Sequence, residues 1–216
     1  MFLTIVTRTC QRPVMLGENI QSVKDQTCHD LEQVFIVDRQ RKGIKSANKS
    51  LALNKDRVDG DYVYILDDDC MLTNPEFVGA IKDVVSEESW DIIMVKSTRP
   101  PGPPSRQPLV PTVWEGRLRH GSCNCLCYVI RAELWKEYIE WFGSKPRGGD
   151  WWFLSQVLGT APSIYWLDEV MADARQLGRG KLFEDAPKGW FERVAEEHSL
   201  ENLGEEDWRL RLWSSS

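Results

Sequence analysis

Over residues 2–98 the chain alternates short, near-continuous apolar runs with longer stretches whose apolar residues recur every three or four positions. The runs FLTIVTRT (2–9), EQVFIVDRQRKG (32–43), GDYVYILDDDC (60–70) and WDIIMVKS (90–97) predict strands, being rich in β-branched and aromatic residues. Between them, VMLGENIQSVKDQT (14–27) sets Met15, Leu16, Ile20 and Val23 on one helical side. GIKSANKSLALNK (43–55) does the same with Ile44, Ala47, Leu51 and Ala52. NPEFVGAIKDVVSE (74–87) predicts a third helix, with Asn74 as N-cap and Pro75 at its first position. Strands that alternate with helices in this way predict right-handed crossovers and an α/β, Rossmann-like architecture. Its central sheet should be mostly parallel, flanked by helices on both faces, in a single domain. Ligands of such sheets sit beyond the carboxyl ends of the strands. Thr7, Arg8, Asp38, Asp67, Asp68 and Asp69 all fall there.

The second half reads differently. RPPGPPSRQPLVP (99–111) is a loop, SCNCLCYVIR (122–131) a strand and AELWKEYIEWF (132–142) a helix. KPRGGDWWFLSQVLG (145–159) predicts a loop and then a helix with Asp150 in its first turn. SIYWLDEVMADAR (163–175) predicts a strand that leads into QLGRGK (176–181), a basic loop punctuated by glycine. The tail GWFERVAEEHSLENLGEEDWRLRLW predicts one or two short amphipathic helices.

Composition narrows the function classes. With 216 residues the chain can bury a full core, and no segment approaches the roughly 20 apolar residues of a membrane span. The opening lacks a basic leader and a small-residue cleavage site, so it reads as a mature start. A net charge of −6 argues against non-specific binding to nucleic acid. The six cysteines (10, 28, 70, 123, 125 and 127) lack the paired spacing of a zinc site. They are expected to be buried, reduced thiols of a cytoplasmic protein. Ten tryptophans are many for this length, and GGDWWF and the terminal DWRLRLW offer stacking surfaces beyond the core.

Chemistry concentrates in YVYILDDDC, where three acids follow a buried run. Two like charges about 4 Å apart cost roughly 1 kcal/mol in water and about 4 kcal/mol at an effective dielectric near 20. A hard cation, Mg²⁺ or Mn²⁺, would remove that cost and leave positions open for phosphate. A calcium loop beginning at Asp67 fails at Met71, Leu72 and Val78, its fifth, sixth and twelfth positions. The acids also half fit the D-x-D-x-[TV] nucleophile motif of haloacid-dehalogenase-like phosphohydrolases, with Asp67 as nucleophile. Met71 departs from that motif, and a complete strand–helix–strand–helix unit precedes it. Solvated acids capping a loop are a third reading.

From residue 2 to about residue 78 the segments TIVTRTCQRP, NIQSVKDQTCHDLEQVFIVD, KSANKSLAL and GDYVYILDDDCML occur in an order and spacing that resemble the inverting GT-A glycosyltransferases of family 2. The resemblance implies a metal-dependent transferase that moves a sugar from a nucleoside-diphosphate sugar, UDP-sugar by default, to a glycan or other acceptor hydroxyl. Residues 1–98 would be the nucleotide-sugar-binding half, 99–182 the acceptor-binding half and 183–216 a helical tail. Thr7, Arg8, Arg12 and Asp38 would line the nucleotide, Asp68 would meet the ribose, and Asp67 would support them. Asp69, with Asp68 and more distantly Asp173, would hold Mn²⁺ or Mg²⁺. The family's Ala-Arg-Asn segment is Ser46-Ala47-Asn48 here, which keeps Asn48 and leaves Arg41 or Lys45 to replace the arginine. GGDWWF resembles the family's acidic helix start, with Asp150 as general base and Gly149 where a second acid is usual. Trp151 and Trp152 would stack on the acceptor, and Arg175, Arg179 and Lys181 would meet phosphate. A retaining transferase and a catalytically inactive sugar-nucleotide-binding module are the alternatives on the same fold.

Overall fold

The expected apolar runs become strands because each places side chains in two cores at once. The computed structural model describes residues 1–98, 109–111, 113–119, 121–145, 147–175, 186–204 and 207–213. Its first half contains β1 (Leu3–Thr9), α1 (Pro13–Lys24), β2 (Leu31–Val37), α2 (Ile44–Leu53), β3 (Tyr62–Ile65), β4 (Cys70–Leu72), α3 (Phe77–Glu87) and β5 (Ile92–Thr98). β6 (Leu109–Val110), β7 (Tyr128–Arg131), α4 (Ala132–Tyr138), α5 (Gly149–Leu158), β8 (Ile164–Ala174), α6 (Trp190–Glu197), β9 (Glu201–Asn202) and β10 (Trp208–Leu212) follow. Along β1, Leu3 and Ile5 join Leu16, Ile20, Phe35 and Phe77 on one face of the sheet. Val6 joins Leu51, Val63, Trp135 and Phe153 on the other. Both faces are therefore covered, as the continuous apolar runs require.

The sheet runs β4-β8-β5-β7-β3-β1-β2-β10-β9, with β6 paired to β5. β1 lies parallel to β2 and β3, and β5 lies parallel to β8. Strand direction is mixed, however, because β7 enters antiparallel between β3 and β5. The reason is local. β5 ends at the rim where the chain leading to β7 begins, and the Ser97 hydroxyl meets Asn124 Oδ1 at 3.3 Å. Strands joined at the same end of a sheet run in opposite directions.

Three local expectations change. Asn74 does not cap the third helix; its Oδ1 accepts from the Glu76 amide at 2.9 Å in a turn, and α3 starts at Phe77. The CNCLC segment is a single 3₁₀ turn over Cys125–Cys127 rather than a strand, because Asn124 Oδ1 accepts from the Leu126 amide at 2.9 Å. The tail is helical only over α6. Its last segment is β10, antiparallel to β2 from Trp208–Phe35 to Leu212–Leu31. The alternation in WRLRL has the period of a strand, burying Arg209 and Leu210. Arg209 is tolerated there because it meets Glu32 at 2.9 Å and Asp207 at 3.0 Å, with Asp59 beside them. Among the described residues no helix is long and apolar enough to cross a membrane.

Glu32 is fully buried, so removing Arg209 leaves its charge to the more distant Arg211, at 3.5 Å, and to the Thr4 hydroxyl. Arg209→Met should lower the unfolding free energy by about 3–5 kcal/mol. Urea denaturation followed by tryptophan fluorescence measures the loss.

Candidate active site

The three acids lie in the turn between β3 and β4 and are gathered toward the end of β1 by backbone bonds. The Leu66 amide donates to the Val6 carbonyl at 3.0 Å, and the Asp68 amide to the Arg8 carbonyl at 3.2 Å. Two arginines from the end of β1 and the segment after it face the carboxylates. Arg8 grips Asp67 with both arms, Nε to Oδ1 at 2.7 Å and Nη2 to Oδ2 at 2.6 Å. Its third arm donates to Asn48 Oδ1 at 2.7 Å, and the Phe142 ring lies 5.3 Å from the guanidinium carbon. Arg12 bridges the other two acids, at 2.7 Å from Asp68 and 2.9 Å from Asp69. The second Asp68 oxygen accepts from the Cys10 amide at 3.1 Å.

Burial sets the electrostatics. Asp68 is fully buried, and desolvation pushes its pKa up to about 7 although Arg12 opposes the shift. Asp69 is raised too, by burial and then by the Asp67 charge. Burial alone would lower Arg8 and Arg12, but the carboxylates facing them outweigh it and raise both.

Asp150, in the first turn of α5, stands near enough to feel the charges of Arg8 and Asp67. Its Oδ1 accepts from the Trp151 amide at 2.9 Å. Burial raises its pKa, against the pull of that amide and of the Arg8 charge, while Asp67 adds to the rise. Arg8 therefore stands in the field of both Asp67 and Asp150. Cys125 shares that field, its thiol raised by burial and Asp67 and lowered by Arg8. Gly149 has a steric reason: a Cβ there would meet the Phe142 carbonyl oxygen at 2.4 Å. An acid cannot stand at that position while Phe142 closes over Arg8. Trp151 and Trp152 meet edge to face with centroids 4.8 Å apart, and Lys145 lies 5.6 Å from the Trp152 centroid.

The structure thus brings Arg8, Arg12, Asn48, Asp67, Asp68, Asp69 and Asp150 to one rim, and leaves others out. Thr7 is fully buried and accepts from Gln33 Nε2 at 2.7 Å, so it faces the α1 side rather than a nucleotide. Strand alternation decides this, since Arg8 takes the opposite face. Asp38 gives its two oxygens to the Gln40 and Lys42 amides at 2.9 and 2.8 Å, shaping the loop after β2 instead of presenting free acceptors. Lys45 is exposed in the first turn of α2. Arg175 donates to the Asp68 and Met15 carbonyls at 3.2 and 2.9 Å and pairs with Glu18. Arg179 and Lys181 lie outside the described residues. Sequence reasoning missed Phe142, Cys125 and Asn19, because each reads as ordinary core or helix in one dimension.

A divalent cation fits this turn at one residue. Asp69 Oδ2 faces Arg12, whereas its Oδ1 meets only the Cys70 thiol at 3.5 Å. One Asp68 oxygen lies 2.7 Å from Arg12 and the other accepts from the Cys10 amide, and Asp173 accepts from the Thr98 hydroxyl at 2.6 Å. Neither is placed as a ligand alongside Asp69. Among the described residues no three His, Cys, Asp or Glu side chains converge to hold a metal. The turn suits an ion of the Mg²⁺ or Mn²⁺ kind only as a minimal site, one carboxylate completed by phosphate oxygens.

No protein family and no curated protein matches the chain by sequence. Solved structures do match. S. aureus TarS, a GT-A glycosyltransferase, superposes over 92% of this chain with a TM-score of 0.65 and 15% identity, and this chain spans 39% of it. A TarS 1-349 structure in complex with UDP-GlcNAc superposes over 92% with a TM-score of 0.60, at 15% identity and 66% of its length. Its complex with UDP gives a TM-score of 0.59, again at 15% identity over 92% of this chain and 64% of that one. The chain thus has the GT-A fold and spans less than two thirds of the TarS chain.

Asp68 binds its proton more tightly folded than unfolded, since its pKa rises from 3.8 to about 7. Its stabilising contribution is full below pH 4 and is lost as pH rises toward 7. Asp68→Asn removes this dependence. Urea midpoints should therefore show wild type losing stability relative to the variant between pH 4 and pH 7.

Proposed function

We propose that this chain is a glycosyltransferase that moves a sugar from a nucleoside-diphosphate sugar, a UDP-sugar, to an acceptor hydroxyl with inversion at the anomeric carbon. The observation that carries the reading is the placement of Asp150 across Arg8 from the acidic turn, on a GT-A fold. The UDP and UDP-GlcNAc complexes of TarS support the donor class.

Each residue then has a task. Arg8 and Arg12, held in place by Asp67, Asp68 and Asn48, offer donors to the diphosphate as it leaves. Asp69 is the residue that would hold Mg²⁺ or Mn²⁺, which would supply further positive charge against the leaving group. Asp150 takes the proton of the acceptor hydroxyl as that oxygen attacks. A pKa raised by burial makes this carboxylate a stronger base than a solvated one. Trp151 and Trp152 offer apolar faces to an acceptor sugar beside it. An aspartyl nucleophile at Asp67, as a phosphohydrolase would need, is disfavoured because both its oxygens are committed to Arg8.

Two measurements test the reading. UDP release from UDP-sugars should fall by about 10²–10⁴-fold in Asp150→Asn. In wild type the rate should drop as pH falls through the raised Asp150 pKa, because protonation disables the base. Unchanged turnover in the variant removes Asp150 from the mechanism, and binding without turnover in wild type supports the inactive module instead. In thermal shift, UDP should stabilise the protein more with Mn²⁺ than with EDTA, and Asp69→Ala should abolish the difference. Equal shifts under both conditions would count against the metal role.

A further inference from the structure

Helix α1 carries a polar side chain in its core-facing stripe. Asn19 is fully buried between Leu16, Ile20 and Val23. A buried amide must find partners for both ends, and this one does. Its Nδ2 donates to the Asp67 carbonyl at 3.0 Å and to the Cys70 carbonyl at 2.8 Å. Its Oδ1 accepts from Gln33 Nε2 at 2.7 Å, and the same Gln33 nitrogen reaches the Thr7 hydroxyl at 2.7 Å. Gln33 and Thr7 are fully buried as well.

The two carbonyls bracket Asp68 and Asp69. The carbonyls of Asp68 and Asp69, lying between them, accept from Arg175, through its Nη2 at 3.2 Å and its backbone amide at 3.1 Å. Every backbone carbonyl from Asp67 to Cys70 therefore has a donor: the Cys70 amide closes the turn onto the Asp67 carbonyl at 2.8 Å, and Asn19 ties both end carbonyls to α1. We infer that Asn19 is a positioning residue: its amide, oriented by Gln33 and Thr7, fixes the backbone of the acidic turn and so the directions in which Asp67, Asp68 and Asp69 meet Arg8 and Arg12. The link to nucleotide binding rests on the function proposed above; the link to carboxylate geometry does not.

A leucine at position 19 would nearly conserve volume while leaving the Asp67 and Cys70 carbonyls without that donor. The test uses protein labelled with ¹³C at aspartate Cγ, with the signals of Asp67, Asp68 and Asp69 assigned by single Asp→Asn changes. Asn19→Leu should move all three resonances and leave those of Asp30 and Asp91 in place, since these make their bonds elsewhere. Its Kd for UDP should rise about tenfold. The neighbouring Ile20→Val, a loss of core packing alone, should lower Tm without moving the resonances or the Kd. If Asn19→Leu does not fold, Gln33→Met loosens the same amide from behind and should move the same signals. Resonances that stay put in whichever of these variants folds overturn the inference. A wild type that binds no UDP sinks the proposed function instead, and the carboxyl signals still decide the role of Asn19.

Discussion

Three adjacent carboxylates cannot close a buried strand unless positive charge meets them, and Arg8 and Arg12 are that charge. Two guanidinium groups face three carboxylates, and burial holds Asp68 back from ionising until about pH 7. That balance orders much of the surrounding chain. Arg12 must end the segment after β1 and begin α1 at the same point, and Pro13 makes the turn compatible with a helix start. Arg8 must leave β1 on the face opposite Thr7, which brings Asn48 of α2 and the Phe142 ring against it. Paired this way, Arg8 and Arg12 place guanidinium donors at the rim and Asp69 leaves one carboxylate oxygen beside them.

The other wall of the cleft comes from the second half of the chain through a steric constraint. Phe142 lies in a 3₁₀ turn (Ile139–Gly143) packed on α2, and its carbonyl leaves no room for a side chain at position 149. Gly149 lets α5 begin there, which places Asp150 one residue later in the field of Arg8. The same phenylalanine thus covers the guanidinium and sets the start of the helix that carries the second acid. At the far side of the sheet, the buried Arg209 cluster locks β10 against β2 and completes the edge of the same structure.

The alternation of apolar runs and amphipathic stretches specified the first-half strands and helices, and the order of its motifs specified the GT-A fold. Those features were legible because a doubly covered strand and a one-sided helix each leave a repeat in one dimension. The acids, Arg8, Arg12 and Asp150 could be nominated for the same reason, as polar residues at the ends of such elements. Less was legible where pairing across distance decides. WRLRL became a strand between β2 and β9 only because β2 offered an unpaired side and Glu32 a buried partner for Arg209.

What the sequence determined alone is therefore the set of elements and the chemical types gathered at their ends, since local periodicity and strand polarity need no knowledge of neighbours. Tertiary structure decided which side chains spend their polar atoms on one another. It turned Thr7 inward, tied Asp38 to its own loop, enclosed Asp68, and gave Asn19 to the carbonyls of the acidic turn. Hydrogen-bond satisfaction in a buried setting is a property of three-dimensional neighbours, and residues far apart along the chain become partners only when the sheet has closed.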